Sequence, residues 1–308
     1  MPRKDELPLV SVIIPVYNGE EFVARAVDSA LEQDYPNMEI IVVDDGSTDH
    51  TADVLTGYGD KIRYFYQENQ GPDAARNHAV SKAQGEYLAF LDADDEWFRG
   101  RLRESLKPMI EDKSIGLTYC YTIARSPDGK EVLYGEEADR KALSKSLFFP
   151  PRKLSTPAVT CRRSLYEKAG GFDRPLLAFA DHDLWIRIRE LSRIKCIPEP
   201  LTVCHEREKS RSRGKDVEEV KRCYFQIIKD GMARRPELYR PYRRQIMADA
   251  YFLWGRQYYM KGMQMKSFLS FARSFIAYPS LRAFMEGIKS LLPHRVRLVI
   301  ASVKQHFI

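Results

Sequence analysis

The sequence predicts an α/β fold: a mostly parallel sheet with flanking helices, followed by an α-helical C-terminal extension. Three observations lead there. Over the first hundred residues, apolar runs suited to buried strands alternate with helical patterns. Several of those runs end abruptly in carboxylates or other polar residues. Beyond about residue 209 the pattern becomes helical and the charge changes sign. Strand–helix alternation at this spacing gives right-handed βαβ units and parallel pairing, with ligand chemistry at the C-terminal strand ends.

The elements follow in order. Val10-Ser-Val-Ile-Ile-Pro-Val16 is a continuous apolar run, as a strand buried on both faces requires. Asn18-Gly19 turns the chain into a helical pattern from Glu20 to Glu32. Glu39–Val43 is the second strand and ends in Asp44-Asp45-Gly46-Ser47, after which Ser47 or Asp49 caps a helix through Leu55. Ile62–Tyr66 is the third strand, Ala74–Ala83 a helix and Tyr87–Leu91 the fourth strand. From about Ile115 to Pro200 the pattern is mixed. It holds β-prone runs at Gly116–Ile123, Ala158–Cys161 and Ile194–Ile197, turns near Pro150-Pro151, and a helix from about His182 to Leu191. Glu206–Lys215 reads as a mobile basic loop. Helical patterning then continues, broken at Arg235-Pro236, Arg240-Pro241, Pro279 and Pro293. Tyr251, Trp254-Gly255, Tyr258, Phe271 and Pro279 have the spacing of one tetratricopeptide-like hairpin, with Ser267 and Ser274 where that pattern prefers alanine. A single hairpin makes no solenoid, so it reads as an appendage that packs on the sheet domain or on a partner.

Bulk composition narrows the class. The 308 residues are 44% apolar and 30% charged, ample for a core and ordinary for a soluble protein. No apolar run approaches the ~18–20 residues of a membrane span, and Met1-Pro-Arg-Lys-Asp-Glu6 lacks the apolar stretch of a signal peptide. The five cysteines are widely spaced without a Cys-x-x-Cys pair, which reads as reduced packing thiols in the cytoplasm. Residues 1–208 carry 28 Lys and Arg against 36 Asp and Glu, a net −8; residues 209–308 carry 21 against 7, a net +14. A basic tail on an acidic domain suggests an anionic partner (membrane surface, nucleic acid or acidic polymer) or simply solvated basic helix faces.

The chemistry lies at the strand ends. Leu88-Ala-Phe-Leu91 runs straight into Asp92, Asp94 and Asp95. Clustered carboxylates repel one another, so this segment is either a site for a hard divalent cation or an acidic turn capping a helix near Arg99. Pro15, Tyr17 and Asn18 follow the first strand; Asp44, Asp45 and Ser47 follow the second; Gly71-Pro-Asp-Ala-Ala-Arg76-Asn77 brings a cation ahead of the fourth. A parallel sheet gathers these ends on one rim, with an aromatic face for a base, acceptors for base N–H or ribose hydroxyls, and a metal site for phosphates. Neither Gly-x-Gly-x-x-Gly after the first strand nor a P-loop is present, so phosphate charge falls to metal and arginine.

The ordered set Val10–Asn18, Ile41–Asp49, Asn69–Asn77, Phe90–Asp95, Gly170-Gly-Phe-Asp173 and Asp181–Arg187 closely resembles the family 2 inverting glycosyltransferases of the GT-A fold. The likeness covers residues 9 to about 203. Each motif alone is weak; together, in order and at family spacing, they are specific. The resemblance implies that Tyr17 stacks on uracil, Asp45 accepts from the uracil ring and Asp92 lies near the ribose and donor sugar. It implies that Asp94 holds Mn²⁺ or Mg²⁺ against the diphosphate and that Arg76 clamps the donor, with Pro15, Asn18, Asp44 and Asp95 completing the donor-binding set. Asp181 matches the general base on the acceptor hydroxyl, although a helix N-cap is the plain alternative; Asp44 likewise reads also as a turn cap. His205 is the second candidate metal ligand, but Cys204-His205-Glu206-Arg207 departs from the common Tyr-Arg-x-His arrangement, and Ala180 stands where relatives place Glu. Trp97 and Trp185 read as packing residues. The Gln-x-x-Arg-Trp motif of processive synthases is absent, which implies single-sugar transfer.

The expected organisation is a GT-A domain over 1–208 and a basic helical region over 209–308. Its expected partners are a UDP-sugar donor and a saccharide or lipid-linked acceptor, with no nucleic acid. The final helix Arg295–Lys304 combines cations with an apolar face, which suits a peripheral membrane contact at the inner face of the cell membrane. Packing on the catalytic domain and a homodimer contact are the competing uses. A metal-dependent nucleotidyltransferase and a catalytically silent scaffold are the alternative functions.

Overall fold

The computed structural model describes residues 7–134, 154–172, 176, 178–207 and 216–291. The turn at Pro150-Pro151, Asp173, most of the basic loop and the helix expected at Arg295–Lys304 lie outside the described residues.

Four strands form the parallel half of the sheet: β1 (Val10–Val16), β2 (Met38–Asp44), β3 (Arg63–Tyr66) and β4 (Tyr87–Phe90). All seven residues of β1 are buried because its two faces serve two cores. Val10, Val12, Ile14 and Val16 pack on one face with helices α1 (Val23–Leu31), α2 (Thr51–Thr56) and α4 (Arg101–Glu111). Ile13 packs on the other with α3 (Pro72–Lys82) and residues of α5 (Arg163–Ala169) and α6 (Ala180–Arg189). This period-2 division explains why an uninterrupted apolar run was needed.

Register places the chemistry. Val16 pairs with Asp44 and Asp44 with Tyr66, while Ile13 pairs with Phe90, so β1, β2, β3 and β4 all finish on one rim. Beyond β4 the sheet, nine-stranded among the described residues, becomes mixed, in the order β3-β2-β1-β4-β8-β6-β9-β5. β8 (Val159–Arg162) runs antiparallel to both β4 and β6 (Ile115–Arg125). β9 (Arg193–His205) runs parallel to β6, and β5 (Glu96–Trp97) antiparallel to β9. β7 (Glu131–Tyr134) hangs on β6 as a hairpin. No sequence pattern announces β5, β7 or α5. Two residues of β5 carry no period, β7 is mostly exposed, and α5 is a single charged helix of seven residues.

The chain forms two compact units that divide at Cys223/Tyr224, within α7 (Val217–Arg234). In the second unit α8 (Pro236–Tyr239), α9 (Arg243–Met260), α10 (Gln264–Ala277) and α11 (Leu281–Leu291) follow, with breaks at Pro236, Pro241 and Pro279 as expected; Pro293 lies outside the described residues. α9 and α10 form the hairpin the sequence suggests. Ser267 Oγ donates to the Gly255 carbonyl at 2.8 Å, and a side chain at Gly255 would sit 2.7 Å from the Phe271 ring. Small residues there let the two helices approach closely. Among the described residues no helix is long and apolar enough to cross a membrane.

Candidate active site

The rim is held together first by its own turns. Asn18 adopts positive φ (48°), its backbone N–H donates to Ser47 Oγ at 2.9 Å, and its Oδ1 accepts from the Thr48 N–H at 2.8 Å. The β1 and β2 turns are thereby tied together, and Tyr17 is left half exposed above them. Pro15 is buried within β1 opposite Val43. Asp44, fully buried, accepts from the Ser47 N–H at 2.8 Å and the Tyr64 hydroxyl at 3.1 Å, which is the turn-capping role. Asp45 is equally buried and accepts from Gln67 Nε2 and the backbone N–H groups of Gln70 and Gly71 at 2.7–2.9 Å. It fixes the loop that enters α3. Gly46 (φ +80°) is required because a side chain would meet the Asn69 backbone nitrogen at 2.8 Å.

α3 brings in the cation. Arg76 is almost fully buried; Nη2 donates to Asp92 Oδ1 at 2.5 Å and Nη1 to Asp73 Oδ1 at 2.8 Å. Its guanidinium lies 5.3 Å from the centre of the Phe172 ring. Asn77, the next residue, holds the loop carrying that ring: Nδ2 donates to the Phe172 carbonyl, and Oδ1 accepts from the Phe172 N–H and the Tyr166 hydroxyl. Burial alone would weaken the Arg76 charge. The carboxylates of Asp92 and Asp73, with Asp181 contributing, outweigh it and keep the guanidinium firmly protonated. Arg76 Nε is buried with no hydrogen-bond partner.

The three carboxylates after β4 separate in character. Asp92 is neutralised by Arg76. Asp95 is buried, its Oδ1 accepting from the His205 N–H at 3.0 Å, and burial with repulsion from Asp92 and Asp94 drives its pKa well up. Asp94 is the most open, its side chain 38% exposed and 3.4 Å from Arg207 Nε. Burial and the Asp92 charge raise its pKa too, even with the Arg207 and Arg25 charges opposing. Arg25 donates from Nη2 to the Asp94 carbonyl at 2.8 Å, and Arg207 lies 3.5 Å over the Phe22 ring. These two arginines belong to the rim without any local sequence signal, and Phe172 joins it from within the Gly170-Gly-Phe-Asp173 motif. Arg25 is a lone cation within an apolar helix pattern, and Arg207 follows the anomalous Cys204-His205-Glu206 run.

His205 sits on the same edge. Its Nε2 lies 3.0 Å from Glu96 Oε1, and burial with the nearby Arg25 charge lowers its pKa. Neutral imidazole is the form that ligates metal. Among the described residues no three His, Cys, Asp or Glu side chains converge as a ready-made metal cage. Mg²⁺ in nucleotide sites is typically held by one or two carboxylates, with substrate phosphates and water supplying the rest. Asp94, the most open of the three and still repelled by Asp92 despite Arg207 and Arg25, fits that demand.

Asp181 opens α6, after Phe179 in the left-handed region (φ 64°). Oδ1 accepts from the His182 N–H at 2.8 Å, and Oδ2 lies 3.4 Å from the Thr156 hydroxyl. Its neighbour Asp183 is buried and bound to Arg187, whose Nη2 also donates to the Gly171 carbonyl at 2.8 Å. Asp181 is therefore the half-open acid of the pair, and its charge reaches Arg76. Trp97 and Trp185 are buried packing residues; the Trp97 indole donates to the Pro157 carbonyl at 2.8 Å.

A model of glycosyl transferase family 2 matches residues 11–170. An uncharacterized glycosyltransferase of Rickettsia typhi is 31% identical over 273 residues, spanning 86% of each chain. Other rickettsial relatives are matched over 28% to 60% of their own length. Chondroitin synthase of Pasteurella multocida is 27% identical over 237 residues, 74% of this chain and 24% of that one. Among solved structures, S. aureus TarS in complex with UDP-GlcNAc superposes with a TM-score of 0.59 at 20% identity, covering 88% of this chain and 89% of that one. The mannosyltransferase PcManGT of Pyrobaculum calidifontis, in complex with GDP-Man and Mn²⁺, gives 0.57 at 22% identity over 92% and 80%. The shared fold is GT-A.

Proposed function

The chain belongs to glycosyl transferase family 2, and we propose that it transfers a single hexose or N-acetylhexosamine from a UDP-sugar to an acceptor hydroxyl, with inversion and with Mn²⁺ or Mg²⁺. One observation carries the reading. The arginine-neutralised Asp92, the open and repelled Asp94 and the half-open Asp181 share one rim, linked through Arg76. A leaving nucleoside diphosphate needs concentrated positive charge on one side, and an inverting attack needs a base on the other.

In this reading Tyr17 supplies the exposed face for the base of the nucleotide, while Asn18, Asp44 and Asp45 act by holding the turns around it. Pro15 sets the backbone beneath, and Asp92 with Arg76 aligns the ribose and sugar. Asp94, with His205 as second candidate, would hold the metal, which when bound offsets charge on the diphosphate. Asp95, whose pKa burial and its acidic neighbours raise, lies behind it. Asp181 accepts the proton from the acceptor hydroxyl as the new glycosidic bond forms. A UDP-GlcNAc-bound neighbour and a Mn²⁺-bound neighbour support the donor and metal classes. Similarity to chondroitin synthase supports a saccharide acceptor, free or lipid-linked. The proposed location is the cytoplasmic face of a membrane, where a lipid-linked acceptor is reached.

The test is Asp181→Asn, which keeps the hydrogen-bond acceptor at the start of α6 and removes the base. Transfer should fall ~10²–10⁴-fold while UDP binding stays unchanged. Undiminished turnover would remove Asp181 from the role. Release of pyrophosphate instead of UDP would reassign the enzyme to nucleotidyl transfer.

A further inference from the structure

Helices α10 and α11 pack the wrong way round for a protein that stops at their surface. On α11 the inward residues are Ala283, Gly287 and Ser290, all buried. The outward residues are Leu281, Phe284, Met285, Ile288 and Leu291, at i, i+3, i+4, i+7 and i+10. On α10 Ser267, Ser270 and Ser274 face inward with Phe271, while Met265, Leu269 and Ile276 face out. Leu281 is 76% exposed and Ile276 72%. Phe275 and Phe284, with ring centres 5.8 Å apart, join the two outward stripes into one apolar face. Contiguous apolar surface of this kind marks a docking site.

Charge chooses the occupant. The unit from residue 224 onward carries 15 Lys and Arg against 4 Asp and Glu. Lys266, Arg273 and Arg282 on α10 and α11 are exposed, although each also lies 4.8–5.9 Å from the centre of an α9 ring (Tyr258, Tyr251 and Phe252). A second copy of this unit would bring like charges together at the rim of the contact. A bilayer with anionic headgroups accepts both features, burying the apolar stripe among acyl chains and the cations among phosphates.

We propose that the outward faces of α10 and α11 form a membrane-docking surface for anionic phospholipid. This deepens the location proposed above and is independent of the transfer chemistry, because vesicle binding is read without donor or acceptor. The full-length protein should float with vesicles of equal parts phosphatidylglycerol and phosphatidylcholine, and far less with phosphatidylcholine alone. Leu281→Glu combined with Ile288→Glu should lower the partition coefficient about tenfold or more. The melting temperature should not change, since both side chains are exposed. High salt should weaken binding without abolishing it. No binding to either vesicle, or equal binding by the double variant, would overturn the proposal. So would a concentration-dependent dimer that the double variant abolishes without vesicles, which would give the face to a second copy. Loss of all binding on removing residues 292–308, with the double variant unaffected, would assign lipid contact to that segment instead.

Discussion

In the sheet unit the large apolar side chains of β1, β2 and β4 are buried and the acidic groups gather at one rim, whereas in α10 and α11 serine, alanine and glycine lie inward beside Phe271 while leucine, methionine, Phe275 and Phe284 face out. The two arrangements prepare for different partners. A strand buried on both faces fixes its end in space, so side chains beyond it are held for a small, highly charged ligand. A helix packed through small residues fixes only its axis and leaves its large side chains free for an extended surface.

Substitutions that reverse each rule sharpen the contrast. The largest effect belongs to Arg101, fully buried in α4, where it donates to Thr160 Oγ1 at 2.5 Å and to the Val159 carbonyl at 2.8 Å and lies 4.3 Å from the centre of the Trp97 ring. Burial pushes its pKa down to about 10. Arg101→Ala strands those acceptors and opens a cavity, so chemical denaturation should show a loss of about 3–5 kcal/mol. In the helical unit the damaging change is small to large. Gly255→Val drives side-chain atoms into the Phe271 ring and should cost about 1–3 kcal/mol by thermal melting. If Gly255→Val were neutral, the close α9–α10 approach would be wrong and the comparison with it.

The smallest effect is electrostatic. Asp94 and Asp95 have raised native pKa values, caused first by burial and then by mutual and Asp92 repulsion. The native state therefore holds these protons to higher pH than the unfolded chain does. Their contribution to stability is present below the ordinary aspartate value of about 3.9 and is lost as pH rises through the raised native values. Asp94→Asn removes part of this contribution, so the metal-free variant should gain melting temperature relative to wild type as pH rises through that window, by about 1–2 °C at neutral pH. A variant whose melting temperature tracks that of wild type across the whole pH range would show that the cluster is already compensated.

Much of this was legible in the sequence, for a definite reason. β1, β2 and β4 declare themselves because double-sided burial leaves no polar position inside them, and their ends carry the carboxylates that open the site. What was not legible depends on pairing across distance. Nothing beside Arg25 or Arg207 in the sequence points to Asp94, and nothing beside Phe172 points to Arg76. Asp44 and Asp45 show the converse limit. Their motif reads as donor-facing, and the structure adds what the motif does not show: both carboxylates also accept internal hydrogen bonds that hold their own turns. The face on α10 and α11 was hidden for another reason: helical periodicity shows that an apolar stripe exists, but not which side the neighbouring helix takes.

The central claim is that Asp94 anchors a metal that binds the donor diphosphate, and calorimetric titration of UDP tests it most directly. Wild type should bind UDP at least about tenfold more tightly with Mn²⁺ than with chelator, and Asp94→Asn should bind it equally weakly in both. Equal UDP affinity with and without Mn²⁺ in the wild type, or a full Mn²⁺ increment in the variant, would contradict the account.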